Sequence, residues 1–359
     1  MSTLDVLRAN LLSPVVLAFA LGVLARLVRS ELRIPSSLYT SLSIYLLLAL
    51  GLKGGHELAS VGWAPLAKPA LATIILGCIT PITAYFALRR LGKFSTADSA
   101  GIAAHYGSVS AVTFIAAQQF VTAMGATAES YMPTLLALLE SPGIHIALGL
   151  GVLAGVAKMK RSAKPAPVLV TAAAAGGGSV ALLEELVAEE SAPPPSFLRS
   201  LREVVTGRTM ILLAGGLVVG CLMGEAGWKQ VQPFFDSGFK GALMLFLLEM
   251  GMLTAERLED LRRVGWFLLV FGVVTPLVHG VLGVIAGHLA GLSAGGATVL
   301  GAMAGSASYI AAPPAVRATL PDANPTYSLT LALGITFPFN VVLGIPIFWR
   351  LATYLGGHA

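Results

Sequence analysis

Apolar and polar positions in this chain come in long blocks. Apolar blocks cover 11–28, 36–53, 64–88, 97–124 and 132–157, then 208–225, 237–253, 264–288, 294–320 and 326–351. Each block approaches or exceeds the ~17–25 residues that carry a helix across a bilayer, so the pattern predicts ten transmembrane helices and an all-α membrane protein. Between the two sets of five lies a stretch of different character. It opens with Lys158, Lys160, Arg161 and Lys164, continues through an Ala/Gly tract over 172–178, and carries Glu184, Glu185, Glu189 and Glu190 before Pro193-Pro194-Pro195. Within it, Leu182, Leu183, Leu186 and Val187 are spaced for one face of a short amphipathic helix. The stretch reads as a tether between halves, and alternatively as a docking site for a regulatory partner. The chain therefore divides into a first five-helix unit (1–157), a linker (158–206) and a second five-helix unit (207–359).

Two apolar blocks are interrupted in the same way. Gly107-Ser108-Val109-Ser110 recurs 198 residues later as Gly305-Ser306-Ala307-Ser308, followed by Tyr309 and by Pro313-Pro314. Flanking matches run in the same order. Leu91 to Ser95 aligns with Leu289 to Ser293, Thr80-Pro81 with Thr275-Pro276, and Gly51 to Leu58 with Gly251 to Leu258. This is the signature of a duplication. An odd number of spans per copy forces the copies into opposite orientations, as in the inverted repeats of secondary transporters. Helices four and nine are then expected to be discontinuous and to cross at the midplane. Unwound backbone is tolerated there only where it faces protein or a wet cavity. The N–H groups of a half-helix start suit an anion, and freed carbonyls with Ser or Thr hydroxyls suit a sodium ion.

Composition agrees with a membrane location. Of 359 residues, 56% are hydrophobic and 11% charged, and the mean hydropathy is +0.81. The net charge of +5 comes from basic residues beside the apolar blocks, so it does not suggest nucleic acid. With the linker placed inside, 17 basic residues fall inside and 6 outside, and both termini lie outside. The first apolar block has no basic leader and no clear cleavage site, so it reads as a span. Cys78 and Cys221 both lie in apolar blocks and read as buried thiols.

The candidate substrate-binding residues are Gly107, Ser108, Ser110, Thr113, Gly305, Ser306, Ala307, Ser308 and Tyr309. Each hydroxyl has the alternative of bonding back to its own helix. Tyr309 either donates to an anion or caps a packed interface. Glu140 is an isolated carboxylate in a span, where charge is expensive and usually functional. With Ser110 and Ser308 it is the candidate sodium set. Glu249, the other acid in an apolar block, reads as a pairing or structural group. His105, two residues before Gly107, is either a proton-handling group or a satisfied interior histidine. The site occurs in two copies, which argues against an intramembrane enzyme, since catalysis needs one asymmetric constellation. A sensor signalling through the linker is a further alternative. No metal-ligand cluster, phosphate loop or nucleic-acid module is present, and no cofactor is implied.

The run from Gly305 to Arg317, with Leu320-Pro321-Asp322-Ala323-Asn324-Pro325 after it, resembles the ninth-span signature of the sodium-dependent bicarbonate transporters. The likeness extends to Gly51–Gly55, Val109–Thr113, Glu140-Ser141-Pro142, Gly251-Met252, Pro276–Gly280 and Gly344–Phe348. It implies a ten-helix inverted-repeat fold, a homotrimer in a bacterial inner membrane, elevator-like movement of a core domain and sodium-coupled import of bicarbonate. It also implies a cytoplasmic partner related to the PII signalling proteins. A sodium-coupled carrier of another small anion or organic carboxylate is the alternative. Three positions depart from the family pattern. Tyr309 stands where the family has an acid, Glu140 where it has an Asp, and Lys53 where it has a Thr.

Overall fold

A computed structural model describes residues 3–61, 64–162, 206–258 and 260–357. All regular structure among them is helical. The linker features between 163 and 205 lie outside the described residues.

In chain order the helices are α1 (Thr3–Leu11), α2 (Pro14–Leu27), α3 (Ser36–Val61), α4 (Ala67–Phe86), α5 (Thr96–Gly107), α6 (Ala111–Ala123) and α7 (Met132–Ser162). They continue as α8 (Arg208–Gln232), α9 (Phe239–Leu258), α10 (Trp266–Leu289), α11 (Ala294–Ala304) and α12 (Ala312–Thr319). The last is α13 (Pro325–Gly356), a helical run interrupted by π-helical turns at Thr330–Thr336 and Asn340–Gly344. Among the described residues, seven helical runs are long and apolar enough to cross a membrane, or eight if α1 and α2, bent by 58°, count as one. The protein is a multi-pass, all-helical membrane protein.

Two seams join helices of the first half to helices of the second. On α3, Gly51 and Gly55 face Gly216 and Gly220 of α8 so closely that an added Cβ at Gly51 would lie 2.9 Å from the Gly216 Cα. On α2, Gly22 faces Gly251 of α9 at the same closeness. Small residues let the backbones approach, which replaces the hydrophobic drive that lipid cannot supply between helices.

The segment from α5 through α6 lies at the centre of the other helices and is almost wholly buried. Its surroundings repeat between the halves. α4 and α10 each carry a proline inside the helix, Pro81 and Pro276. α5 and α11 are each capped by a serine, Ser95 accepting from the Asp98 N–H and Ser293 from the Gly296 N–H. A carboxylate then ties each cap region to the other half. Asp98 accepts from the Asn324 N–H at 2.8 Å, and Glu129 accepts from the Ser293 N–H at 2.5 Å.

Three sequence expectations change. Pro313 and Pro314 do not interrupt a helix; they sit in the first turn of α12, where their missing N–H groups would have no helical acceptor anyway. α3 continues past the expected 53 to Val61, and its Lys53 is held by Asp236 at 2.8 Å. α8 runs beyond 225, but Gly224 (φ 63°, ψ −174°) departs from helical geometry and bends it there.

Candidate functional site

Both duplicated motifs unwind their helices. α5 ends at Gly107 and α6 begins at Ala111; α11 ends at Ala304 and α12 begins at Ala312. In the first break the second serine caps the helix that follows; in the second it bonds the backbone just ahead of the helix. The Ser110 hydroxyl accepts from the Thr113 N–H at 3.2 Å, and the Ser308 hydroxyl accepts from the Ala311 N–H at 3.3 Å. Capping by Ser110 is how the first Gly-Ser-x-Ser restarts a helix after breaking one; α12 restarts on its proline pair instead.

The breaks are bonded to each other. The Ser308 N–H donates to the His105 carbonyl at 2.8 Å. His105 Nδ1 lies 2.6 Å from the Ser308 carbonyl; a carbonyl only accepts, so the ring proton resides on Nδ1. The Ser306 hydroxyl accepts from the Ser110 N–H at 2.8 Å and donates to the Met303 carbonyl at 2.8 Å. His105 is thus the satisfied interior histidine of the two alternatives, and Ser306 holds the two breaks together. Asn340, in a π-helical turn of α13, donates from Nδ2 to the Gly305 carbonyl at 2.8 Å and so supports the second break from outside.

Closeness comes from glycine. A Cβ on Gly143 of α7 would run into the Gly107 carbonyl, and one on Gly107 would lie 2.6 Å from the Pro81 Cβ. In the second half, a Cβ on Gly305 would lie 2.5 Å from the Pro276 carbonyl oxygen. The matching order of proline and glycine in the two halves thus brings each break close against its proline.

Between the breaks is a small cavity of about 10 Å³, lined by Val109, Ser110, Ala111, Glu140, Ser308, Tyr309 and Ile310. That is close to the room one water or small ion needs. The three residues read as the sodium set, Glu140, Ser110 and Ser308, all line it. Glu140 is 3% exposed, its Oε2 has no hydrogen-bond partner, and no lysine or arginine lines the cavity. The Tyr309 hydroxyl is also buried without a partner, while its ring packs edge-on against Phe337 at 6.2 Å. Tyr309 therefore closes a packed interface and also lines the cavity. Ser108 and Thr113 are buried nearby with unpartnered hydroxyls, but they do not line the cavity. Ala307 is buried within the second break, and Glu249 does not line the cavity.

The cavity gathers chemistry of both signs. The start of α6 offers N–H groups to an anion, whereas Pro313 and Pro314 leave few at the start of α12. Hydroxyl oxygens and one carboxylate offer hard oxygen ligands to a small cation. A buried carboxylate without a cationic neighbour costs several kcal/mol, so a cation that reached it would be held strongly.

Asn340 is the site residue that the sequence reading missed. A lone amide in the apolar run Phe337-Pro338-Phe339-Asn340-Val341 was the available signal. Asn340→Leu leaves the Gly305 carbonyl without its donor. It should lower stability by about 1–3 kcal/mol, measured by thermal melting in detergent, and depress activity alongside.

Comparison with known families identifies one match. The model of the Na+-dependent bicarbonate transporter superfamily matches residues 14–353. No curated protein matches the chain.

Proposed function

The chain belongs to the Na+-dependent bicarbonate transporter superfamily, a transporter rather than an enzyme family, and from this premise we propose that it imports bicarbonate coupled to sodium through the crossing of the two helix breaks. The observation that carries the proposal is the burial of Glu140, Ser110 and Ser308 around one ion-sized cavity between two half-helix starts.

Coupling follows from charge. An ionised Glu140 in a dry cavity repels a second anion, and at an effective dielectric near 20 two unit charges 4 Å apart interact by about 4 kcal/mol. A sodium ion on the Glu140 carboxylate, with Ser110 and Ser308 oxygens, reverses that repulsion into attraction. Bicarbonate then binds beside it through the N–H groups at the start of α6 and the hydroxyls of Ser108 and Tyr309, with Ser306 holding the two breaks in place, Gly107, Gly305 and Ala307 allowing backbone approach and Thr113 behind Ser110. By linkage, bicarbonate tightens sodium by the same factor. No arginine holds the anion, which keeps its release fast.

The wider architecture completes the reading. Ten spans form two inverted five-helix repeats; the matched prolines, serine caps and glycine contacts of the two halves support this. The glycine seams α3–α8 and α2–α9 make a scaffold. The helices bearing the breaks make a core that moves against it in an elevator-like step. Both termini are placed outside, and the 158–206 linker inside, where it tethers the halves or receives a PII-like regulator. The homotrimer and the bacterial inner membrane follow from the family likeness.

The test is uptake of labelled bicarbonate by proteoliposomes under an inward sodium gradient, with formate and acetate as competitors. The proposal expects uptake that neither competitor suppresses at equal concentration. Uptake of labelled acetate in place of bicarbonate would assign the site to organic carboxylates.

A further inference from the structure

A second cavity lies apart from the crossing. It has a volume of about 490 Å³ and sits between the α1–α2 bend, α6, the start of α9 and the middle of α13. A cavity of several hundred cubic ångströms is large enough to take most of a drug-sized apolar ligand. Its walls are mainly apolar, with Pro14, Val15, Phe120, Leu243, Met244 and Ile345 among them.

Most of its polar groups are already committed. Asn10 donates to the carbonyls of Val341 and Val342 at 2.8 and 3.2 Å. Ser13 accepts from the Val16 N–H, and Thr122 donates to the Gln118 carbonyl. Lys240 is different. It is exposed and makes no ion pair among the described residues. It also lines the adjoining polar cavity of about 530 Å³, together with Lys53, Glu57, Glu129 and Asp236. Lys240 therefore stands where an apolar cavity meets an aqueous one, with Leu243 and Met244 one turn further along α9 on the apolar side.

The surface around the apolar cavity suits hydrocarbon. Leu11, Leu12 and Leu17 at the α1–α2 bend and Met244 and Leu245 on α9 are all at least 40% exposed. A small hydrophilic anion has no reason to enter such walls, and a cation would meet Lys240. We propose that this cavity is a binding site for an anionic phospholipid, with an acyl chain between α2, α6, α9 and α13 and the headgroup phosphate on the Lys240 ammonium. Amphipathic contacts of this kind combine buried apolar area with attraction to anionic headgroups.

Native mass spectrometry of the detergent-purified full chain, with phosphatidylglycerol or phosphatidylcholine added, tests this. The native protein should retain phosphatidylglycerol in preference to phosphatidylcholine. Lys240→Ala should weaken phosphatidylglycerol retention by roughly fivefold, the worth of one lysine toward an anionic lipid surface. Ala123→Phe, which fills the cavity from α6, should remove both lipids at a native-like melting temperature. Because Lys240 is exposed, its variant keeps the test decisive even where Ala123→Phe fails to fold. Equal retention of the two lipids by the native chain, or retention of phosphatidylglycerol unchanged in Lys240→Ala, would overturn the proposal. A change of oligomeric state in Ala123→Phe with lipid retention intact would also overturn it, assigning the cavity to contact with a second copy of the chain.

Discussion

Replacing Gly143 by alanine should abolish transport and lower the stability of the folded protein by about 3 kcal/mol, the upper part of the usual cost of overpacking a close contact. The reason is geometric. α7 crosses the first break with nothing but hydrogen between the Gly143 Cα and the Gly107 carbonyl, so an added methyl has no space. The neighbours cannot give way cheaply, because the contacted atoms are backbone and that backbone is bonded onward. Gly107 also abuts Pro81 of α4, and two residues earlier His105 is tied to Ser308. Pushing Gly107 away therefore displaces both breaks. Thermal melting in detergent reads the stability change, and uptake in proteoliposomes reads the functional one. A variant that melts and transports like the native protein would show that the crossing is looser than these contacts require.

Glu140→Gln should have the opposite profile, a large functional loss on an intact fold. Glutamine keeps the volume of glutamate and removes its charge, so the cavity walls are undisturbed. A neutral amide is also cheaper to bury than a carboxylate, so stability without sodium should be unchanged or higher. Sodium, however, loses its only anionic ligand in the cavity. The apparent sodium affinity should fall on the order of 100-fold, about 3 kcal/mol, as when one partner of a buried charge pair is truncated. A sodium titration of uptake gives the first number. The shift of melting temperature on adding sodium gives an independent one, because an ion that binds only the folded state stabilises it. If Glu140→Gln destabilises the protein while sodium dependence persists, Glu140 is a structural group and the coupling site lies elsewhere.

Much of this was legible in the sequence, and the parts that were not share a cause. Every apolar block falls on a helix or a broken pair of helices, because block length and hydropathy are local properties. The breaks at Ser108–Ser110 and after Gly305 were legible too, since glycine followed by serines that bond nearby backbone N–H groups acts within a few residues. Pro313-Pro314 misled, because a proline pair signals a break equally well before a helix start and inside one. What the sequence hid is long-range. Asn340 reaches Gly305 from 35 residues away, and Ser306 meets Ser110 across 196. Gly143 meets Gly107 because α5 and α7 pack together, which no spacing within either helix announces. Lys53 is a departure from the family pattern, and its partner Asp236 and the cavity it shares with Glu57 and Glu129 set it apart from the crossing. The likeness to a sodium-dependent family made Tyr309 the awkward residue, a phenol where an acid is the pattern. The geometry shifts that difficulty: an acid already stands beside the same cavity, on α7 rather than in the second break.

That substitution supplies the most direct test of the account, which holds that Glu140 with Ser110 and Ser308 suffices for sodium coupling without an acid at 309. Labelled bicarbonate uptake into proteoliposomes is measured with sodium and with potassium as the external cation, for the native chain and for Tyr309→Asp. The native protein should take up bicarbonate with sodium and only at background level with potassium. Equal native uptake in the two salts, with sodium dependence appearing only in Tyr309→Asp, would contradict the account.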